Sequence, residues 1–313
     1  MAKRIFCLMG PTASGKTALA CALVQQFPCE IISVDSAMIY RGMDIGTAKP
    51  DAETLARAPH HLVDILDPPE SYSAAQFCSD TTALCESIIR QGKIPLLVGG
   101  TMMYFRALQH GLSILPPADE QTRMRLTQQA QTHGWAYMHQ LLADVDVKAA
   151  MRIHPHDTQR IQRALEVYQL TGKPISAFLS DKGTESTYEF VNIFLFPDDR
   201  AWLHERIALR FEQMLVDGLV EEVRRIQTQW NLTSEHPAMR CVGYRQVFDY
   251  LQGESDEASL CAKGIAATRQ LAKRQLTWLR HWADGHRFVA ENPMSVGGVM
   301  ALMQQLLDNK ERN

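Results

Sequence analysis

The stretch Gly10-Pro11-Thr12-Ala13-Ser14-Gly15-Lys16-Thr17 decides the fold. It satisfies the pattern G-x-x-x-x-G-K-[ST] in full. It follows an apolar run, Arg4-Ile5-Phe6-Cys7-Leu8-Met9, and opens onto Thr17-Ala18-Leu19-Ala20-Cys21-Ala22-Leu23-Val24, which has helical composition. Strand, glycine-rich loop and helix in that order make a phosphate-binding loop. The loop amides and the helix N-terminus offer donors to phosphate oxygens, Lys16 brings positive charge, and Thr17 brings a hydroxyl able to hold Mg²⁺. A glycine-rich turn that merely carries a lysine would leave both the spacing and the strand–helix context without a reason.

Working outward, a second apolar run, Glu30-Ile31-Ile32-Ser33-Val34, ends in Asp35, and a third, Ile94-Pro95-Leu96-Leu97-Val98, ends in Gly99-Gly100-Thr101. Both read as strands buried on two faces, as in a parallel sheet. Ligands of such sheets bind beyond the carboxyl ends of the strands, so Asp35 and Thr101 are expected to face the same cleft as Lys16. Between these runs Ser73 to Arg90 is helical in pattern, with a capped start at Tyr72-Ser73-Ala74-Ala75-Gln76.

From about Pro116 to Thr187 strand signals vanish and Gln, Ala, Arg and Leu recur at helical spacing. Strand character returns at Phe190–Phe196, followed by an amphipathic helix from about Arg200 to Leu215. The expected class is α/β: a P-loop NTPase-like parallel sheet flanked by helices, with a helical insertion domain. Residues 1–116 and 189–313 form the core and its C-terminal helices, and 117–188 the insertion.

The chain of 313 residues has a formal net charge of −3, so any surface for a polyanion must be a local concentration of Lys and Arg. Seven cysteines, at 7, 21, 29, 78, 85, 241 and 261, include no C-x-x-C pair and read as reduced, mostly buried residues. Cys78 and Cys85 lie one heptad apart on a helix face, as core residues do. The run Ile5–Met9 is too short for a signal peptide, and no stretch has the length of a membrane span, so a cytoplasmic protein without membrane association is expected. His60, His61, His154 and His156 lack the Cys or carboxylate spacing of a metal site and read as structural.

The phosphate loop alone suits ATP and does not name a reaction, because hydrolases, small-molecule kinases and transferases share it. From position alone Asp35 is equally a proton acceptor or a residue that holds Mg²⁺ through water. Thr101 is either a hydrogen-bond donor to a phosphate oxygen or a strand-end cap, and Arg210 either a ligand cation or a solvated helix residue. Near the C-terminus Arg269, Lys273 and Arg280 fall within roughly 40° on one helix face, with Leu271, Trp278 and Trp282 opposite. That pattern predicts a helix packed through its aromatics with its basic side turned outward to phosphate. A kinase gives no reason for this late basic and aromatic block, and an RNA-binding module without catalysis leaves Asp35 and Thr101 idle.

Further blocks accompany the phosphate loop: Ile32-Ser33-Val34-Asp35-Ser36-Ala37-Met38-Ile39-Tyr40, Met43–Pro50, His60–Ile65, Leu97–Tyr104, His154–Asp157, Gln159–Glu166, Arg240–Arg245 and Thr268–Arg280. In order and nearly end to end, they resemble the bacterial tRNA dimethylallyltransferase family, also called tRNA isopentenyltransferases. The resemblance implies transfer of a dimethylallyl group from dimethylallyl diphosphate to N6 of adenosine 37, in tRNAs reading codons that begin with U, with release of diphosphate. It implies the tRNA anticodon stem-loop as partner; Mg²⁺ is expected as cofactor from the Thr17 hydroxyl, and a monomer because one chain carries every part of the site.

Carried onto this sequence, the resemblance makes Asp35, Thr101, Lys16 and Arg210 catalytic and gives Gly10, Pro11, Thr12, Ala13, Ser14, Gly15, Lys16 and Thr17 to the diphosphate, with the metal at Thr17. It tips Asp35 toward the proton acceptor. For tRNA it implies Asp35, Ser36, Ala37, Met38 and Thr101 around the acceptor base. In the insertion it implies Arg123, Gln159, Arg160, Ile161, Gln162 and Arg163, so that the insertion contacts the anticodon arm. Late in the chain it implies Arg240, Cys241, Val242, Gly243, Tyr244 and Arg245, then Lys273, Arg274, Gln275, Leu276, Thr277, Trp278, Leu279 and Arg280.

Overall fold

The computed structural model describes residues 3–113, 115–178 and 188–311, with side chains to residue 308. The chain divides into two compact units, Met1–Ala107 with Thr187–Asn313, and Leu108–Ser186.

The first unit is built on β1 (Lys3–Met9), β2 (Cys29–Val34), β3 (His60–His61), β4 (Ile94–Gly99), β5 (Tyr188–Phe196) and β6 (His286–Val289). They form a sheet in the order β3-β2-β4-β1-β5-β6 with every pairing parallel. The runs read as buried strands are buried on both faces: Ile5 through Met9 are all fully enclosed, because parallel strands need crossover helices that cover each side. Phe6, Leu8, Ile31, Leu96 and Ile193 pack with Leu19 and Leu23 of the helix Lys16–Gln26 and with Val299 and Met303 of the helix Met294–Glu311. The helix Ala74–Arg90 starts where its capping pattern predicts. The Ser73 hydroxyl accepts from the Gln76 amide at 3.2 Å, and the Ser73 amide donates to Oε1 of Gln76 at 2.8 Å.

Two strands escaped the sequence reading. His60 and His61, which the sequence reading placed in no strand, pair with Ile31 and Ile32 as a two-residue edge strand, and Nε2 of His61 lies 2.8 Å from Oε2 of Glu30. Two residues are too few to show a period. β6, at the other edge, is His-Arg-Phe-Val and only half-buried at best, so it lacks the continuous apolar run of a central strand.

The second unit contains the helices Glu120–His133, Trp135–Val145, Val147–Arg152, Thr158–Thr171 and Ile175–Phe178. They enclose Leu126, Met138, Leu142, Ala149, Ile161 and Leu165. The end of the expected insertion, residues 179–187, lies outside the described residues. Among the described residues no helix is long and apolar enough to cross a membrane.

Candidate active site

Because all the strands run the same way, the residues that follow β1, β2 and β4 emerge on one edge: the phosphate loop, Asp35 and Gly100-Thr101. Their positions are tied together by short bonds. The Thr101 amide donates to the Val34 carbonyl at 3.2 Å, and the Thr101 hydroxyl accepts from the Ser36 amide at 3.2 Å. Oδ1 of Asp35 accepts from the amides of Ala37 (2.8 Å) and Met38 (3.3 Å). This fixes the carboxylate while Oδ2 keeps no partner among the described residues.

The phosphate loop is held from the far side by two helices. In the helix Glu257–Arg280, Gln275 accepts from the Thr12 amide at 2.8 Å through Oε1 and donates to the Gly100 carbonyl at 2.9 Å through Nε2. A side chain at Gly100 would collide with this amide, its Cβ only 2.3 Å from Nε2. In the helix Arg200–Val216, Nε of Arg206 donates to the Ala13 carbonyl at 2.9 Å. Ala13 has φ of 63°, left-handed for a residue with a Cβ, and the arginine bond helps keep it there. The Ser14 hydroxyl is buried with no hydrogen-bond partner among the described residues.

A cavity of about 860 Å³ opens over this edge, lined by the phosphate loop from Thr12 to Thr17, Asp35, Thr101, Arg206, Arg210 and a wall of Tyr40, Tyr72, Tyr104, Phe211 and Met214. That volume falls in the range of small-molecule sites, about 300–1,000 Å³. Lys16, Asp35, Thr101 and Arg210, the four residues expected to do chemistry, therefore share one cavity.

Its electrostatics are unusual. The Lys16 ammonium, bonded to the Pro11 carbonyl at 2.6 Å, is enclosed at the cavity floor although the side chain retains some surface. Burial, then the charge of Arg210, pushes its pKa down to about 7, with Asp35 acting in the opposite direction. Burial also lowers Arg210, partly offset by Asp35. No carboxylate among the described residues forms an ion pair with either cation. Two cations with no ion-pair partner among the described residues, Lys16 on the phosphate loop and Arg210 on the helix beside it, are a receptor for a multiply charged anion. Opposite them, burial and then Asp35 raise the Cys241 thiol to about 12, and burial followed by Asp35 raises the Tyr104 phenol to about 12. Both therefore stay neutral beside the carboxylate.

Several residues expected to touch RNA are turned inward. Gln275 is the clamp just described. Leu276 and Leu279 are buried with Ala272, and these, not Trp278, form the packed face of their helix. Trp278 is 36% exposed, with the Arg106 guanidinium 5.7 Å over its ring. The prediction of a helix seated through that tryptophan is corrected: its packed stripe is centred about 110° away, through an amide and small or aliphatic side chains. Tyr244 is fully buried and bonds Glu222, whose carboxylate also accepts from the amides of Asp44 and Ile45, each at 2.9 Å. In the insertion Ile161 is core. Arg123 and Arg163 both bond the buried Glu166, at 2.9 and 2.6 Å, and Gln162 bonds the Arg123 carbonyl at 3.1 Å.

Gln159, Arg160, Arg245, Lys273, Arg274, Thr277 and Arg280 remain exposed. Arg240 is exposed, lines the cavity and pairs with Glu235 at 2.7 Å. Cys241, Val242 and Gly243 line the cavity, as do Ser36, Ala37 and Met38. Arg206 was missed. Its only signal was its place four residues before Arg210 on one helix face. Among the described residues no group of three or more His, Cys, Asp or Glu is arranged to hold a metal, and His154 and His156 simply lie beside each other.

A parallel sheet with a phosphate loop, two uncompensated cations and a lone carboxylate at its carboxyl edge defines an α/β enzyme that handles a phosphate or diphosphate ester. Comparison with known proteins narrows the class. The family model described as IPP transferase matches residues 38–282. The chain is 58% identical over 313 residues, all of both chains, to the tRNA dimethylallyltransferase of Legionella pneumophila (strain Corby). It is 54% identical over 289 residues, 92% of this chain and 93% of the relative, to that of Coxiella burnetii (strain RSA 493 / Nine Mile phase I).

Among solved structures, the tRNA isopentenylpyrophosphate transferase of Bacillus halodurans superposes with a TM-score of 0.72 at 34% identity, covering 99% of this chain and 98% of that one. A eukaryotic dimethylallyltransferase acting on tRNA shares the fold, with a TM-score of 0.81 at 23% identity over 98% and 80% of the two chains. The chain belongs to the IPP transferase family.

Proposed function

We propose that this transferase moves a dimethylallyl group from dimethylallyl diphosphate to N6 of an adenosine in the tRNA anticodon loop, adenosine 37 of tRNAs reading codons that begin with U. The supporting observation is the meeting, in one cavity, of Lys16 of the phosphate loop and Arg210 of the helix Arg200–Val216, neither of them in an ion pair among the described residues, with the Asp35 carboxylate. An allylic diphosphate reacts as its C–O bond breaks and the electron pair leaves on diphosphate. Lys16, Arg210 and the loop amides are set where that charge accumulates. The N6 lone pair forms the new C–N bond to the allylic carbon, and the N6 proton passes to Asp35, the one carboxylate held by backbone amides at the end of β2.

An adenine stacked in a loop cannot reach Asp35, so the base is extruded into the cavity, whose wall includes the half-buried Tyr72. The exposed Lys273, Arg274 and Arg280 suit the RNA phosphates. Thr17 supplies a hard oxygen on the cavity wall, which fits Mg²⁺, an ion that takes one or two protein ligands and completes its shell with phosphate oxygens and water. Bound there through Thr17, it would add to the neutralisation of the leaving diphosphate.

The test is direct. Unmodified tRNA, dimethylallyl diphosphate and Mg²⁺ are incubated with the protein, and the digested tRNA is read by mass spectrometry. N6-dimethylallyladenosine at position 37 is expected. Its absence with intact, folded tRNA overturns the proposal.

A further inference from the structure

We infer that the contact between Phe211 and Gly264 closes the donor end of the cavity and limits the prenyl chain to five carbons; this rests on the donor being an allylic diphosphate, as proposed above. Two helices line the cavity and are tied to the phosphate loop at opposite chain positions. Arg206 of Arg200–Val216 bonds the Ala13 carbonyl, and Gln275 of Glu257–Arg280 bonds the Thr12 amide. Distance from the phosphates therefore grows with residue number along the first helix and falls with it along the second. On the first, the cavity wall passes from Arg206 and Arg210 to Phe211 and Met214; on the second, from Gln275 to Leu271 and Thr268. Past Arg210 the first wall is apolar, and the second passes from Arg274 and Gln275 through Leu271 to Thr268.

The distances match a short chain. One helical turn advances about 5.4 Å, and a five-carbon allylic chain reaches about 5 Å from its oxygen at some 1.5 Å per bond. Phe211 and Met214 stand about 1.5 and 6 Å along the helix axis beyond Arg210, so they bracket the tail of a diphosphate neutralised by Lys16 and Arg210. Phe211 is 3% exposed, and its ring tip lies against the bare backbone of Gly264. A Cβ built on Gly264 would stand 1.9 Å from Cζ and 2.2 Å from Cε1 of the ring. Only glycine accommodates the ring in that position. With helix backbone behind it, the ring has nowhere to retreat from a longer donor. The Thr268 hydroxyl, bonded to the Gly264 carbonyl at 2.8 Å, braces the same turn.

A purely packing role would change stability and affect all donors alike. A wall changes the ratio between donors. The experiment compares kcat/KM for dimethylallyl and geranyl diphosphate, with tRNA saturating, in the parent and in Phe211→Leu and Phe211→Ala, the milder change covering the case where alanine fails to fold. Opening the wall is expected to raise the geranyl-to-dimethylallyl ratio by about 10–100-fold, since each methylene accommodated or refused counts for at least about tenfold. Gly264→Ala, which pushes the ring into the channel, is expected to lower dimethylallyl kcat/KM about tenfold, leaving inhibition by inorganic diphosphate unchanged. Adding Phe211→Leu to Gly264→Ala should restore it.

An unchanged donor ratio in an active Phe211 variant overturns the inference. A parent protein that prenylates tRNA from neither donor overturns the proposed function instead. The wall is then judged by calorimetric binding of dimethylallyl and geranyl thiolodiphosphates, where the same shift in ratio supports it and equal affinities in parent and variants sink it.

Discussion

Two cationic clusters, one in each unit, differ in their chemistry. In the unit Leu108–Ser186, Arg123 and Arg163 converge on Glu166, whose side chain is fully buried. Burial alone would raise that carboxyl, but the bonds from Arg163, Arg123 and the Asp119 amide outweigh it and hold it below the usual range. In the sheet unit Lys16 and Arg210 crowd together with no ion-pair partner among the described residues, and burial lowers the pKa of each. The first arrangement is complete without a ligand. The second is not, and a cation cluster that folding leaves uncompensated marks where an anion binds.

The comparison breaks most readily at Asp35. Asp35→Ala should slow single-turnover prenyl transfer by about 10²–10⁴-fold with little change in tRNA affinity by filter binding; unchanged turnover would demote the residue to a structural part of the β2 turn. Next in size, Arg210→Ala should lower kcat/KM for the donor by about 10²–10³-fold, as loss of a group aimed at developing charge does. Arg210→Lys should recover part of it. Arg123→Ala is the control from the other unit: if it slows the chemical step as much as Arg210→Ala, the division into clasp and receptor fails.

Within the insertion the expected effect is on stability. Glu166→Gln keeps the shape and removes the charge that two guanidinium groups share. A fully buried pair would lose about 3–5 kcal/mol, but Arg123 and Arg163 retain 46% and 27% exposure, so about 2–3 kcal/mol is expected in urea unfolding. Affinity for inorganic diphosphate should not move, and a parallel loss would mean that the two clusters are coupled.

The phosphate loop, Asp35 and Thr101 were legible because each sits where an apolar run stops, and parallel strands bring their ends to one edge whatever the rest of the chain does. The clasp was not legible. Arg123 and Arg163 carry the signals of RNA-binding arginines, and only the burial of Glu166, a residue type usually exposed, shows that they are spoken for. Trp278 misled in the opposite sense: a large aromatic on a helix reads as core, whereas the packed stripe runs through Ala272, Gln275, Leu276 and Leu279. Gln275 and Arg206 act across more than 190 residues of sequence on the phosphate loop, and no local pattern announces a contact at that range. The edge strand His60–His61 was hidden by its length.

The smallest expected effect tests the comparison most finely, because it uses pH rather than substitution. With Lys16 at about 7 in the free protein, its ammonium is largely deprotonated above that pH and charged below it. Bound diphosphate stabilises the charged form and raises the pKa, so binding above pH 7 takes up a proton at Lys16. Affinity should therefore be level below about pH 7 and fall above it by up to about tenfold per unit, the limit for one linked proton. Calorimetry of inorganic diphosphate at pH 8 in two buffers of different ionisation enthalpy reads that proton, and Lys16→Ala subtracts the ligand's own titration. Lys16→Arg, charged throughout, should bind without the extra uptake. The clasp responds at the other end of the scale. Glu166 is held low in the folded chain, so its contribution to stability is complete above the ordinary carboxyl range and is lost as pH falls through its folded value. If diphosphate affinity above pH 7 is as flat in the parent as in Lys16→Arg, then the floor of the cavity is already compensated, and the contrast between receptor and clasp is wrong.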